Sequence, residues 1–278
     1  MVTCFCYFHY RLDHATGMEA HPQLRNRVQI VPLGFEYERL KQPILRWKAD
    51  VVVPIEYRNS EHKPPYLDKL IAELEANERI EVDRRACDIF DLFDTLGTIS
   101  KAISDYANDD VFVNISAGSK ITAIGGMIAC MATGARPLYA RPEYGPEGTR
   151  IPDAPLHEEV SEIFELPRYP IDKPVDRHIA FMAHIDDCTH EITSGRYRGV
   201  SKKELIQFAL NEEFPFIAES ETTSEKGYYR LLDRHVLDPL TEQDFVSIEK
   251  IGRKKFVTLT EDGKNVLRAF RDTIRKRD

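Results

Sequence analysis

A short polar segment between two apolar runs carries the strongest signal for chemistry in this sequence. The run 111–115 has the character of a buried strand, and the run 121–131 has the composition of a helix. A strand that enters a Gly/Ser turn and then a helix N-terminus presents free backbone N–H groups beside the positive end of the helix dipole. Lys120 adds a full positive charge there, so the segment predicts an anion site, and a nucleotide phosphate is the expected anion. The candidate residues of this turn are Asn114, Ser116, Ala117, Gly118, Ser119 and Lys120.

The spacing excludes two common phosphate-binding motifs. A P-loop requires a Gly-Lys pair followed by Ser or Thr, whereas Lys120 follows a serine and precedes an isoleucine. A dinucleotide fingerprint requires three glycines after the first strand, and only Gly34 follows the predicted strand 28–32. The same residues also fit an ordinary strand-to-helix turn in which Ser116 or Ser119 caps the helix. The pattern by itself leaves the anion site and the plain turn as alternatives.

The elements around this turn alternate between strands and helices. Strands are predicted at 28–32, 50–55, 80–85, 111–115 and 135–140, and helices at 36–47, 65–77, 89–107 and 119–131. This order predicts an α/β fold, a Rossmann-like and mainly parallel sheet covered by helices on both faces. Ligands of such sheets bind beyond the carboxyl ends of the strands. We therefore expect the loop Gly34, Phe35 and Glu36 to converge with the Asn114–Lys120 turn.

Composition and length indicate a globular protein of about two domains. The 278 residues are 42% hydrophobic and 30% charged. No apolar run approaches the roughly 18 residues that span a bilayer, which predicts no membrane role. The five cysteines are mostly scattered and odd in number, so we expect reduced thiols and a cytoplasmic location.

Residues 1–27 fit neither helical nor strand periodicity, and we interpret them as an N-terminal extension. Cys4, Cys6, His9 and His14 are of metal-ligating types. No second pair at ligand spacing accompanies them, so no metal site is predicted. The sequence also predicts no catalytic residue and no cofactor.

The last hundred residues predict a second domain with a different architecture. A helix at 176–188, a capping box that begins at Ser201 and a third helix at 224–237 precede a hairpin and a closing helix at 260–276. This order is typical of a winged helix-turn-helix domain, whose third helix enters the major groove and whose wing meets phosphate. We expect residues 28–174 to form the sheet domain, with 141–174 as a proline-rich rim or linker, and residues 175–278 to form the winged helix domain.

The charge distribution agrees with a nucleic-acid partner for the second domain only. From Arg177 onward the chain has 18 basic and 18 acidic residues, so the net charge of −8 lies entirely in the N-terminal part. A neutral segment with local basic clusters can approach DNA, whereas an acidic one is repelled. The candidate DNA contacts on the third helix and the wing are Lys226, Tyr229, Arg230, Arg234, Arg253, Lys254 and Lys255.

The two loops and the domain order resemble a known family. Leu33-Gly34-Phe35 is similar to the first loop of CRISPR-associated Rossmann-fold (CARF) domains. The stretch Asn114-Ile115-Ser116-Ala117-Gly118-Ser119-Lys120 is similar to their Asn-x-Thr/Ser-Gly-Gly-Thr-Lys/Arg loop, with Ala117 in place of the first glycine and Ser119 in place of threonine. A CARF domain followed by a winged helix-turn-helix is the layout of archaeal CARF transcription regulators, and the resemblance covers about residues 28–278.

This resemblance implies a function in antiviral defence. The expected protein is a homodimer with a composite pocket across its two-fold axis. That pocket senses cyclic oligoadenylate, most often cyclic tetra-adenylate, while the attached domain binds double-stranded promoter DNA. We expect the helix at 176–188 and the proline-rich linker to couple the two.

Two enzymatic alternatives remain open at this point. Other CARF proteins carry a HEPN ribonuclease domain marked by an arginine and a histidine a few residues apart, and Arg230 and His235 fit that spacing. Such a pair can stabilise phosphate and act as acid or base. A ring nuclease, which degrades the cyclic ligand in the CARF pocket, is the other alternative, although neither loop offers an obvious base.

Overall fold

The structure is a computed structural model that describes residues 25–58, 65–143, 159–193, 196–220, 224–251 and 254–273, without the side chains of residues 65 and 190–198. Cys4, Cys6, His9 and His14 lie outside these ranges, so the interpretation of the extension stays a prediction. None of the helices in the described ranges has both the length and the apolar character needed to cross a bilayer.

A seven-stranded, mostly parallel sheet forms the N-terminal part of the fold. Its strand order is β3-β2-β1-β5-β6-β7, with β4 also pairing with β2, and only the β6–β7 pair is antiparallel. The predicted Rossmann-like α/β class is confirmed. The strands are β1 (Arg27–Pro32), β2 (Val51–Tyr57), β3 (Glu81–Val82), β4 (Arg85–Cys87), β5 (Asp110–Asn114), β6 (Arg136–Pro142) and β7 (Val160–Glu165).

Four helices cover the two faces of this sheet because successive strand residues point to opposite sides. Ile30 packs with α3 and α4 on one face, and Val31 packs with α1 and α2 on the other. Both residues are almost fully buried. The helices are α1 (Tyr37–Arg46), α2 (Pro65–Glu75), α3 (Leu92–Asp105) and α4 (Lys120–Thr133).

Two predicted elements differ from the structure for local reasons. The strand predicted at 80–85 is split into β3 and β4. The helix predicted to begin at residue 89 begins at Leu92, because the Asp91 carboxylate accepts hydrogen bonds from the backbone N–H groups of Phe93 and Asp94 and so caps it. Ile89 and Phe90 are therefore left in the loop before α3, at the carboxyl-end edge of the sheet.

The C-terminal part is a winged helix domain, as predicted. Its three-stranded sheet has the order β10-β12-β11, and β11 and β12 form the wing. The short hairpin of β8 and β9 was not predicted. The elements are α5 (Asp176–Cys188), β8 (His190–Thr193), β9 (Arg196–Arg198), β10 (Val200–Ser201), α6 (Lys202–Asn211), α7 (Pro215–Ala218), α8 (Glu225–Leu232), α9 (Asp238–Glu242), β11 (Val246–Ile251), β12 (Lys254–Leu259) and α10 (Glu261–Phe270).

The predicted third helix is continuous with α9 through a π-helical turn, Asp233–Leu237. Pro239 has no N–H, so the carbonyl of His235 lacks the partner that an α-helix would give it. The His178 Nε2 atom of α5 lies 3.0 Å from that carbonyl oxygen. A carbonyl only accepts, so His178 donates and is the Nε2–H tautomer. The hydrogen-bond donor that is missing at Pro239 of α9 is thus replaced by a side chain from α5.

One apolar core extends across both parts of the chain. Leu96 and Ile99 of α3 belong to the same buried cluster as Leu267 and Phe270 of α10. The winged helix domain is therefore packed onto the helix layer of the sheet domain rather than tethered at a distance from it.

The stability of the winged helix domain is expected to fall on mild acidification. Burial lowers the pKa of His178, His184 and His235 from the usual 6.5. A lowered pKa means that the unfolded chain binds the proton more readily, so stability is complete above pH 6.5 and is lost as the pH drops below it. Urea midpoints measured from pH 7.5 to about pH 5 should therefore decrease.

His178→Gln tests whether His178 contributes to this pH dependence of stability. Glutamine keeps an N–H donor for the His235 carbonyl but does not titrate, so its midpoint should fall less over the same pH range. Carboxylates with a lowered pKa, such as Glu73, reduce the stability only when the pH falls below their usual pKa of 4.5, which lies outside this range. A pH dependence in His178→Gln as steep as that of the wild type would contradict the assignment.

Candidate ligand-binding site and DNA-binding surface

The loops after β1 and β5 meet at the point where the strand order reverses. β1 lies between β2 and β5, and the chain leaves β1 and β5 toward opposite faces of the sheet. A Cβ added to Gly34 would collide with the backbone nitrogen of Gly118 and lie 2.5 Å from its Cα. The predicted convergence of the two loops is therefore confirmed, and their contact is backbone against backbone.

Two residues of the second loop have opposite conformational requirements. Gly118 has a φ of 88°, which favours glycine, and a Cβ there would collide with the Thr122 hydroxyl. Ala117 has no positive φ, and its methyl group is buried in the core beside α1 and α2. The alanine at the first glycine position of the motif is thus accommodated, because the loop needs its positive φ one residue later.

Asn114 and Ser116 hold the loop in shape. Asn114 is 1% exposed; its Nδ2 donates to the Arg39 carbonyl at 2.9 Å, and its Oδ1 accepts from the Ser116 N–H at 2.9 Å. The Ser116 hydroxyl accepts from the Ala140 N–H at 2.6 Å. The structure places these two predicted site residues, together with Ala117, beneath the loop rather than on its exposed surface.

The exposed part of the loop combines a helix N-terminus with a positive charge. Ser119 is the N-cap of α4 and accepts from the Thr122 N–H at 3.1 Å. The N–H groups of residues 118–121 donate no hydrogen bond within the described ranges. The exposed Lys120 forms no ion pair with any described residue. Free N–H groups at a helix start and one unpaired lysine suit a phosphate group.

Three exposed apolar side chains surround this edge of the sheet. Phe35 is 62% exposed, Phe90 is 63% exposed and Ile124, one turn after Lys120, is 50% exposed. Glu36, by contrast, is buried at the start of α1. Sequence analysis missed Phe90 and Ile124; the signal for Phe90 was Asp91, which ends the loop as a helix cap.

The buried side chains near Glu36 include a tyrosine hydroxyl without a hydrogen-bond partner. Burial, and to a lesser extent the negative charge of Glu36, raises the pKa of Tyr66 to about 12. Tyr66 is therefore neutral at physiological pH and available as a donor at the first turn of α2. No group of three or more His, Cys, Asp or Glu side chains in the described ranges is arranged to hold a metal ion.

The winged helix domain presents unpaired basic side chains on the third helix and the wing. Lys226, Arg230, Arg234, Lys254 and Lys255 are exposed and pair with no described acidic residue. Tyr229 is half-buried against the core, and Arg253 lies outside the described residues.

Lys250, which sequence analysis did not select, faces Lys255 directly across the hairpin. Like charges at such a position destabilise a sheet. Their pairing concentrates positive charge on the exposed wing.

Comparisons with known proteins identify both domains. Residues 27–144 match the family described as HFX_2341_N:-like, N-terminal, and residues 177–271 match the DUF6293 C-terminal winged helix domain. The chain joins these two domains. The predicted layout, a Rossmann-like domain followed by a winged helix domain, is confirmed by this pair of matches. No curated protein matches the chain in sequence.

Several solved structures resemble this chain weakly. Can2 from Sulfobacillus thermosulfidooxidans in complex with cyclic tetra-adenylate is 9% identical, with 88% of this chain and 64% of that chain covered and a TM-score of 0.37. Enterococcus italicus Csm6 bound to cyclic hexa-2'-fluoro-hexa-dAMP is 11% identical, with 78% and 55% covered and a TM-score of 0.37. Protein VC1899 from Vibrio cholerae is 13% identical, with 88% and 64% covered and a TM-score of 0.34. The chain thus spans less than two thirds of the length of these proteins. The similarity is too low to assign a ligand to this chain.

The domain that carries Arg230 and His235 does not have the fold of a HEPN ribonuclease domain. A HEPN domain is all-helical, whereas Arg230 and His235 lie in a winged helix domain, in the region that matches the DUF6293 model. His235 is in the π-helical turn, with its ring 5.4 Å from that of Phe216 and its carbonyl bound to His178. The two residues therefore lie in a winged helix domain and not in an all-helical one.

Gly34→Ala should separate the two loops. The new methyl group would overlap the backbone of Gly118, and overpacking of this kind lowers the free energy of unfolding by about 1–3 kcal/mol. Chemical denaturation measures this loss. Phe35→Ala is the matched control in the same loop, because its side chain is 62% exposed and its removal should change the free energy of unfolding by no more than about 0.5 kcal/mol. Wild-type stability in Gly34→Ala would contradict the contact.

Proposed function

We propose that this chain is a ligand-responsive transcription regulator of a CRISPR-type defence system. Its sheet domain binds cyclic oligoadenylate, with cyclic tetra-adenylate as the expected ligand, and its winged helix domain binds promoter DNA. The observation that carries the proposal is the free helix start at Lys120, held against the Gly34 loop at the switch in strand order. The residues of the two loops add the CARF resemblance to this geometry.

Phosphate and base recognition use different parts of the site in this proposal. A phosphate rests on the N–H groups of Gly118 and Ser119 and on the Lys120 ammonium, where the helix dipole and the lysine charge act together. The exposed ring of Phe35 offers a face on which an adenine can stack. Asn114 and Ser116 contribute by fixing the backbone that carries these groups.

A homodimer completes the pocket in this proposal. Each copy supplies one lysine and one helix start, whereas a cyclic oligoadenylate carries a phosphate for each of its adenylates. A two-fold axis through the ligand brings a second, identical set of loops to the other side. The exposed apolar side chains Phe35 and Ile124 at this edge become covered when two copies meet.

DNA recognition follows from the exposed face of the third helix and from the wing. Arg230 and Arg234 on that helix reach base edges or phosphates in the major groove. Lys250, Lys254 and Lys255 of the wing neutralise backbone phosphate, which relieves their mutual repulsion. The acidic N-terminal part keeps the remainder of the molecule away from DNA.

Lys120→Ala should weaken the binding of cyclic tetra-adenylate by about ten-fold or more, because a charge-assisted contact to phosphate is lost. Isothermal titration calorimetry measures the affinity, and DNA binding without ligand should be unchanged. Lys101→Ala, an exposed lysine on the neighbouring helix α3, is the control and should bind as the wild type does. Equal affinity in Lys120→Ala and the wild type would exclude this pocket.

Arg230→Ala and Lys254→Ala should each weaken DNA binding. Each loses one phosphate or base contact, so a phosphate-binding residue should reduce the slope of log K against log salt by about 0.9. Fluorescence anisotropy with a labelled duplex at several salt concentrations measures both quantities. Lys264→Ala on α10 removes an exposed lysine of the same domain that lies outside the third helix and the wing. A loss in Lys264→Ala as large as in the other two would argue against a specific DNA-binding face.

A further inference from the structure

The anion loop is bonded to the segment that starts α3. The Ser119 hydroxyl, which caps α4, also donates to the Ile89 carbonyl at 2.8 Å. Two residues further on, Asp91 caps α3 with its Oδ1 atom, which accepts from the N–H groups of Phe93 and Asp94 at 2.9 and 3.0 Å. The N-termini of α4 and α3 are therefore linked through one hydroxyl and one short loop.

The second carboxylate oxygen of Asp91 reaches the winged helix domain. Arg268 of α10 donates through Nη2 to Asp91 Oδ2 at 2.7 Å. The guanidinium, followed by the two capping N–H groups, lowers the pKa of Asp91, so the carboxylate stays charged at physiological pH. One side chain thus caps α3 and holds α10 at the same time.

Glycines bring the three helices into close contact along this route. A Cβ on Gly125 of α4 would lie 3.2 Å from the Thr95 Cγ2 atom of α3. A Cβ on Gly97 of α3 would lie 2.5 Å from the Arg268 carbonyl oxygen of α10. Close-packed contacts of this kind leave little room for one helix to move without displacing the next.

α10 is in turn fixed to the end of the third helix and to the wing. It follows β12 directly, and the Thr260 hydroxyl that caps it donates to the Asp244 carbonyl at 2.6 Å. The Thr260 N–H donates to the Phe245 carbonyl at 3.1 Å. A shift of α10 therefore moves the junction between the third helix and the wing.

We propose that α4, α3 and α10 form a mechanical relay from the anion loop to the DNA-binding elements. Its joints are the Ser119–Ile89 hydrogen bond and the Asp91–Arg268 ion pair. This inference deepens the proposed function, since it assigns the route by which that site regulates DNA binding. The sequence had placed the coupling in α5 and the proline-rich linker. Arg271, the residue directly after α10, pairs with Asp186 and Asp187 of α5 inside the winged helix domain, so that contact does not cross to the sheet domain.

The relay is testable without ligand or DNA by hydrogen–deuterium exchange on the full chain. Ser119→Ala removes the first joint and the α4 cap, so amides at the start of α4 should exchange faster. The relay predicts that α10 amides in residues 261–270 also exchange at least about two-fold faster, although α10 does not touch residue 119. In the Asp91→Asn background, Ser119→Ala should leave α10 exchange unchanged. Unchanged α10 exchange in the Ser119→Ala single variant would overturn the relay.

A second measurement tests the relay in the complete system. Asparagine still caps α3 but has no charge for Arg268, and exposed ion pairs are individually weak, so Asp91→Asn should fold normally. Cyclic tetra-adenylate should bind it with wild-type affinity, and duplex DNA should bind it with wild-type affinity when ligand is absent. The ligand-induced change in DNA Kd should shrink by about two- to five-fold. Arg271→Ala removes exposed ion pairs at the C-terminal end of α10 that stay within one domain, so it should retain the full change.

The two measurements separate the relay from the proposed function. If cyclic tetra-adenylate does not change the DNA affinity of the wild type, the proposed ligand is contradicted. If α10 exchange is nevertheless faster in Ser119→Ala, the relay is still supported. A ligand-induced change that survives in Asp91→Asn and is lost in Arg271→Ala overturns the relay and moves the coupling to α5. Gly97→Ala, which forces α3 and α10 apart, should abolish the change, and a full response in that variant would also overturn the relay.

Discussion

The contact between Gly34 and Gly118 is the constraint on which the candidate site depends. It joins the loops after two adjacent strands that send the chain to opposite faces of the sheet. With no side chain between them, the two backbones approach closely, and the start of α4 is held at the sheet edge with its N–H groups exposed. The side chains of Asn114 and Ser116 support the loop from beneath, so the exposed surface of the Asn114–Lys120 turn is mostly backbone and one lysine.

Two other side chains, one in each domain, also serve two purposes. His178 and Asp91 each satisfy a helix defect or a helix end while contacting another element. His178 supplies the donor that Pro239 removes from the third helix, and Asp91 supplies the cap of α3 while holding α10. Each of these side chains thus joins two elements that are distant along the chain.

Local patterns in the sequence predicted most of the architecture. Alternating apolar runs gave the strands, the capping box at Ser201 gave the start of α6, and the Asn114–Lys120 turn was placed correctly at the end of its strand. Features that depend on distant residues were missed. The sequence does not show that Asn114 donates a hydrogen bond to the Arg39 carbonyl or that Gly97 contacts α10, because both partners lie far away along the chain. It also does not show that a π-helical turn precedes Pro239, because the same residues fit several helical hydrogen-bond patterns.

The buried cluster that includes both Leu96 and Leu267 has a consequence for how the chain folds and evolves. The two matched families are separate units of sequence, yet apolar residues of α3 from one and of α10 from the other pack in the same buried cluster. Cut apart in the linker, each half would expose its part of that cluster to water and would be prone to self-association. We therefore expect the two modules to unfold together, and exchange of one module between proteins to require matched changes at the α3–α10 contact.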